Sequence, residues 1–249
     1  MQSYLLPYLG YFQLISCVDK FIIYDNLDYI YQGWINRNRL LNKNGHPFYF
    51  TIPVSKGKAS TVKISEVLIY HDYWKRKMLN SVLLNYSRSQ FYSEVIDIIN
   101  RIVEFESNFI SDFNKHAIKI ICEYLDIKTH IVYNSDFSNV ENEMSTKGLG
   151  TTIPYLPISF RPDSIKSLRV VLICKHFSCI EFVNPVGGKE LYSKKEFSKN
   201  SIKLRFLEMK NFKYAQPSKC FHSHLSIIDV LMNCGKEKTK LLLEEYNLI

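Results

Sequence analysis

Apolar and polar positions fall into blocks whose spacing changes several times along the chain. Residues 4–6 form a short apolar run, and residues 7–10 hold the proline and glycine of a turn. Residues 11–18 carry apolar side chains at helical spacing, and residues 21–24 form a second apolar run that ends at Asp25 and Asn26. Strand, turn, helix and strand in that order read as an N-terminal βαβ unit. Residues 47–54 and 61–69 have strand character, with a turn at 56–60, and read as a β-hairpin on the sheet edge.

The period then becomes helical. Trp74, Met78, Val82 and Tyr86 recur every fourth residue, and Phe109, Phe113, Ala117 and Ile121 do the same. Three helices fit this insertion, roughly residues 72–126, with breaks near 87–89 and 104–107. Residues 129–133 return to strand character. Residues 134–157 are the longest irregular stretch, rich in Asn, Ser, Thr, Gly and Pro, and a loop of that length reads as a lid over a site. A helix over 164–177, strands over 180–183 and 202–207, and helices over 225–232 and 238–246 complete the pattern. The expectation is one α/β domain over residues 1–249, with a mainly parallel, Rossmann-like sheet, a hairpin and a helical insertion.

Composition narrows the setting. A hydrophobic fraction of 46% excludes general disorder, and no apolar run approaches the roughly 18 residues of a membrane span. No signal peptide is evident, and the six cysteines contain no CxxC pair, so they read as reduced thiols of a cytoplasmic protein. The formal charge of +8 favours anionic partners: nucleotide-linked sugars, coenzyme A, an acidic carrier protein, or an anionic membrane surface met peripherally. No nucleic-acid-binding motif is present, so nucleic acid is not an expected partner. The oligomeric state has no signature.

Ligands of open α/β sheets sit beyond the carboxyl ends of strands, which puts Asp25 in the expected crevice. Its carboxylate reads as a base or a sugar-hydroxyl ligand, or else as a turn aspartate. Trp34, Asn36, Arg37 and Asn38 combine a stacking face, a two-pronged cation and amides that bind hydroxyls, the chemistry a nucleotide-sugar site needs. The structural alternative is a Trp-anchored turn with Arg37 on a carbonyl. His222 suits proton transfer near neutrality. His222 and His224 beside Cys220 and Cys234 lack a third ligand at regular spacing, so no metal is expected. Ser226 and Asp229 fit either a site or a helix start, with Ser226 capping.

These residues also carry a resemblance. The run Pro7-Tyr8-Leu9-Gly10-Tyr11-Phe12, Tyr24-Asp25 and Trp34-Ile35-Asn36-Arg37-Asn38 resemble the opening signature of the WbqC-like family. Trp74 with Lys77, Tyr86, residues 187–192, Tyr214 with Gln216, and residues 225–233 with Gly235 extend it along the chain. The resemblance implies bacterial O-antigen or other surface-glycan synthesis. It adds Tyr8, Gly10, Tyr11, Trp74, Lys77, Tyr214 and Gln216 to the substrate-binding candidates.

The leading expectation is a transferase that N-acylates or N-aminoacylates a nucleotide-linked amino sugar. It would hold no tight cofactor and would draw on a coenzyme A thioester or acyl carrier protein. Asp25 or His222 would be the base, Asn36 or Asn38 the oxyanion donors, and Arg37 the phosphate ligand. Two alternatives stand beside it: a non-catalytic nucleotide-sugar-binding or scaffold protein, and a nucleotide-dependent ligase or nucleotidyltransferase. The last is weakened because Tyr8 and Tyr11 stand where an HxGH turn would carry histidines.

Overall fold

The computed structural model describes residues 1–55, 61–70, 73–140, 142 and 162–249. It is a mixed α/β structure with small parallel and antiparallel sheets of two or three strands. The chain divides into two compact units, one of residues 1–131 and 211–245 and the other of residues 132–210 and 246–249. Among the described residues no helix is long and apolar enough to cross a membrane.

The first unit contains helix α1 (Leu9–Ser16), whose residues 9–15 are all buried. A helix apolar all round belongs in a core, not on a surface. Strand β1 (Lys20–Ile23) follows, and His130 donates its backbone N–H to the Asp19 carbonyl just before it at 3.1 Å. The expected strand at residues 4–6 does not form, so the N-terminal βαβ unit is missing, and among the described residues there is no large parallel sheet. Leu5 and Leu6 are fully buried, but Leu6 adopts φ 41° and Pro7 follows, so the backbone turns away before a ladder can extend.

The hairpin forms with a different partner. Strands β2 (Arg37–Leu41) and β3 (Pro47–Thr51) pair antiparallel, with Arg37 opposite Thr51 and Leu41 opposite Pro47. The turn closes through Asn42 and Gly45, whose φ of 80° suits glycine. The expected pairing survives only as a short ladder between β4 (Val54–Ser55) and β5 (Leu68–Ile69); its turn lies outside the described residues.

Helices α2 (Tyr73–Tyr86), α3 (Tyr92–Glu104) and α4 (Ile110–Tyr124) reproduce the helical middle. On α2 the buried set is the four-residue stripe Trp74, Met78, Val82 and Tyr86. On α3 it is Val95, Ile98, Ile99, Ile102 and Val103, the three- and four-residue spacing of one helix face. The two helices expected at the carboxyl end of this unit run on as helix α7 (Ile227–Leu243), broken by Gly235 at φ 66°. A Cβ at Gly235 would lie 2.5 Å from the Phe91 ring, so both backbone angle and space demand glycine there.

The second unit takes in β6 (His130–Tyr133) from Val132 onward, then helix α5 (Pro162–His176). Strand β7 (Glu181–Pro185), helix α6 (Lys194–Lys199) and strand β8 (Lys203–Met209) follow, with β7 parallel to β8. Strand β9 (Tyr246–Leu248), which periodicity did not reveal, pairs antiparallel with β8. Val171, Cys174, Phe197 and Ile202 form its core. Of the expected lid, residues 134–137 are a 3-10 turn, while residues 141 and 143–157 lie outside the described residues.

Candidate functional site

Strand alternation decides what the Trp34–Asn38 cluster becomes. Successive side chains of a strand point to opposite faces, and β2 shows the burial pattern of that rule: Asn38 and Leu40 are buried, Arg37 and Arg39 half-exposed. The asparagines face inward. Asn36 donates to the Ile52 carbonyl at 2.9 Å and accepts from the Tyr29 hydroxyl at 2.8 Å. Asn38 donates to the Leu5 and Leu6 carbonyls, both at 2.9 Å, and accepts from the Arg39 amide at 2.8 Å. Expected as oxyanion donors, both spend their amides on backbone instead. Asn38 satisfies the carbonyls that the left-handed Leu6 turn removes from any ladder.

The outward face carries a continuous strip of cations and rings. The Arg37 guanidinium lies 4.7 Å from the centre of the Tyr49 ring, and Tyr49 stacks on Trp34 at 6.3 Å. Arg39 lies 5.6 Å from the Trp34 ring and reaches the His224 carbonyl at 3.5 Å. The His224 ring meets Tyr8, 5.2 Å away between centres. Trp34 is 39% exposed and Tyr49 52% exposed, so the strip opens to solvent. Guanidinium over an aromatic face is attractive, so the cations and rings of the strip hold one another in place.

Three backbone segments hold the strip together. Ser226 donates its amide to the Arg39 carbonyl at 3.0 Å and its hydroxyl to the Leu6 carbonyl at 2.8 Å, and it caps α7 by accepting from Ile228 at 3.4 Å. Ile227 donates to the Pro7 carbonyl at 2.9 Å. Leu6 at φ 41° and His224 at φ 57° flank this junction; both are non-glycine residues in the left-handed region, held there by the bonds around them.

Behind the junction lies a buried polar network. Asp229, fully buried in the first turn of α7, accepts from Tyr86 at 2.6 Å, Tyr214 at 2.7 Å and Gln216 at 3.3 Å. Tyr86 also accepts the Leu41 amide at 2.9 Å, which ties the network to β2. Gln216 clasps the His222 backbone from both sides, accepting its N–H at 2.8 Å and donating to its carbonyl at 2.9 Å. Burial raises the Asp229 pKa, against the pull of its hydrogen bonds, and burial beside Asp229 pushes both phenols far up. Burial, and after it the Arg39 charge, lower the pKa of His224 and favour its neutral form.

Asp25 stands apart from the strip. It is 1% exposed, ion-paired with Lys115 at 2.9 Å, and receives the Ser111 hydroxyl and the Ser3 amide. Trp74 is buried against Phe113, with ring centres 5.0 Å apart, and its Nε1 finds no partner among the described residues. Lys77 is exposed on α2. Gly10 and Tyr11 are buried in α1, and Tyr11 donates to the Gln2 carbonyl at 2.8 Å. His222 turns Nε2 to Ser218 Oγ at 3.2 Å, whereas His224 faces Tyr8, so the two histidines engage different neighbours. Among the described residues no three His, Cys, Asp or Glu side chains gather as a metal would require.

Of the sequence candidates, then, Tyr8, Trp34 and Arg37 meet on the open strip, and Tyr214, Gln216 and Asp229 meet behind it, with Ser226 joining the segments. Arg39, Tyr49 and His224 belong to the strip and were not singled out as site residues from the sequence. Reading residues 37–41 as a strand would have paired Arg37 with Arg39, because the alternation was already present.

The fold and this strip define a mixed α/β protein with an arginine–aromatic face. The sequence profile of the WbqC-like protein family matches residues 2–241. The chain belongs to that family. It is also similar to an uncharacterized protein of Mycobacterium tuberculosis (strain ATCC 25618 / H37Rv), 27% identical over 239 residues, covering 95% of this chain and 93% of the relative. No solved structure matches.

Proposed function

We propose that this protein is a transferase of surface-glycan synthesis, acting in the cytoplasm, that N-acylates or N-aminoacylates a nucleotide-linked amino sugar. The observation that carries the reading is the strip Arg37–Tyr49–Trp34–Arg39–His224–Tyr8, which sets two arginines among four rings on an exposed face. Sugar and base rings stack on exposed Trp and Tyr, and guanidinium binds phosphate. The acyl donor would be a thioester of coenzyme A or of an acidic carrier protein, in keeping with the +8 charge.

In that reaction the amine nitrogen attacks the thioester carbonyl, the C–N bond forms, the C–S bond breaks and the thiolate leaves. The amine proton needs an acceptor. Asp25 is sealed beneath Ser111 and Lys115, which leaves His222, beside Ser218, and His224, on the strip, where burial and Arg39 lower its pKa and favour the proton-accepting form. The second reading, a binding protein without turnover, is favoured by the burial of both Asp25 and Asp229, which leaves few titratable groups for chemistry.

Calorimetry with nucleotide-linked amino sugars, followed by mass spectrometry after adding acyl thioesters, tests both. Binding with a product one acyl group heavier supports the transferase. Binding without product supports the second reading, and no binding by the folded protein removes both.

A further inference from the structure

We infer that Arg39, rather than Arg37, recognises the anionic group of the ligand, a phosphate or pyrophosphate; this rests on reading the strip as the ligand site. The two arginines sit two residues apart on the same face of β2 and differ in what their donors already do. Arg37 donates Nε to the Gly33 carbonyl at 3.3 Å and Nη2 to the Gln32 carbonyl. Those bonds fasten a turn in which Gln32 holds φ 59°. The Arg37 fork is therefore spent on backbone.

Arg39 is half-buried, and its Nε is shielded from solvent without a hydrogen-bond partner. Among the described residues its guanidinium makes one hydrogen bond, the long contact from Nη2 to the His224 carbonyl at 3.5 Å. Among the described residues no carboxylate lies within ion-pair distance of it. A shielded N–H left unmade is costly, and a guanidinium kept without a carboxylate is a charge without a counter-charge. A phosphate group answers the second, because its oxygens match the paired Nη donors at the solvent-facing end of the fork, a geometry that no single carbonyl supplies. The neighbouring rings of Trp34 and Tyr49 place the rest of a nucleotide-linked sugar beside that anion.

The arrangement carries a signature beyond affinity. The groups facing His224 are Arg39 on β2 and Tyr8 at the start of α1, with His222 on its own segment. Arg39 is one of the causes that lower the His224 pKa. An anion seated on Arg39 cancels that influence, so binding raises the His224 pKa and draws a proton from solution at mildly acidic pH. A guanidinium serving only as packing would give no such uptake.

Isothermal titration calorimetry with UDP-N-acetylglucosamine, inorganic pyrophosphate and uncharged uridine separates the possibilities, with circular dichroism confirming that each variant is folded. Arg39→Gln should weaken the two anionic probes by roughly tenfold or more and uridine by less than about threefold. Arg39→Lys should recover only part, since an ammonium lacks the fork. Arg37→Gln should weaken all three probes alike, because it supports Tyr49 and its turn. Proton uptake, read from the dependence of binding enthalpy on buffer ionisation, should appear in the wild type and vanish in Arg39→Gln. Equal affinity of wild type and Arg39→Gln for the sugar nucleotide would overturn the assignment while leaving the strip as the ligand site. No binding of any probe by the wild type would overturn both. Pyrophosphate binding as tight as that of the sugar nucleotide would identify free phosphate as the source.

Discussion

Removing one hydroxyl, in Tyr86→Phe, tests whether the buried network holds the site together. That oxygen accepts the Leu41 amide at 2.9 Å and donates to Asp229 at 2.6 Å, and both partners are fully buried. Phenylalanine fills nearly the same space, so packing changes little. The Leu41 N–H loses its acceptor, which costs about 1–3 kcal/mol, and Asp229 loses a charge-assisted bond worth about 1.5–3 kcal/mol. The sum is about 2.5–6 kcal/mol, partly relieved by water or local adjustment. For a chain of 150–250 residues each kcal/mol moves Tm by about 2–4 °C, so a loss of about 3 kcal/mol corresponds to roughly 6–12 °C. Hydrogen exchange resolved by peptide, across a urea series, reads the loss within the unit that contains α2 and α7. A double-mutant cycle with Asp229→Asn should give a coupling of about 0.5–3 kcal/mol. A cost below about 0.5 kcal/mol, the level of an ordinary surface change, would refute the reasoning.

Three further outcomes follow from the same geometry. Asn38→Ala strips partners from the Leu5 and Leu6 carbonyls and the Arg39 amide, and should cost about 3 kcal/mol or more in chemical denaturation while weakening ligand binding without touching ligand. Asp25→Asn removes one of the two carboxylates of Lys115, the other being Asp112 at 3.5 Å, and weakens the hydrogen bonds from Ser111 and Ser3, so it should cost about 1–3 kcal/mol; a catalytic Asp25 would instead lower kcat at near-normal stability. Asp229 has a folded pKa raised above its unfolded value, so it binds a proton more tightly in the folded state. Its contribution to stability therefore rises as pH falls through the folded pKa towards about 4 and declines as pH rises. The stability of the wild type relative to Asp229→Asn should improve on acidification over that window, and a gap independent of pH would contradict the sign.

The sequence by itself determined what depends on local spacing. The stripe Trp74, Met78, Val82 and Tyr86 and the face Val95–Val103 appear as helices because a helix buries the side chains that recur every three or four residues, whatever the rest of the chain does. The motif residues fixed the family in the same way, being types in a fixed order. Only the tertiary structure decided which strands pair and which side chains are already occupied. Residues 4–6 look like a strand but turn at Leu6, whose φ is 41°, and Asn38 takes up the freed carbonyls. Arg37 and Arg39 are identical as letters, yet one is spent on the Gln32–Gly33 turn and the other makes only a long contact to the His224 carbonyl. His224, Tyr8 and Tyr49 join them from residues far apart in the chain. Periodicity reports which face of an element is buried; what a polar group bonds to is set by whichever distant segment folding brings against it.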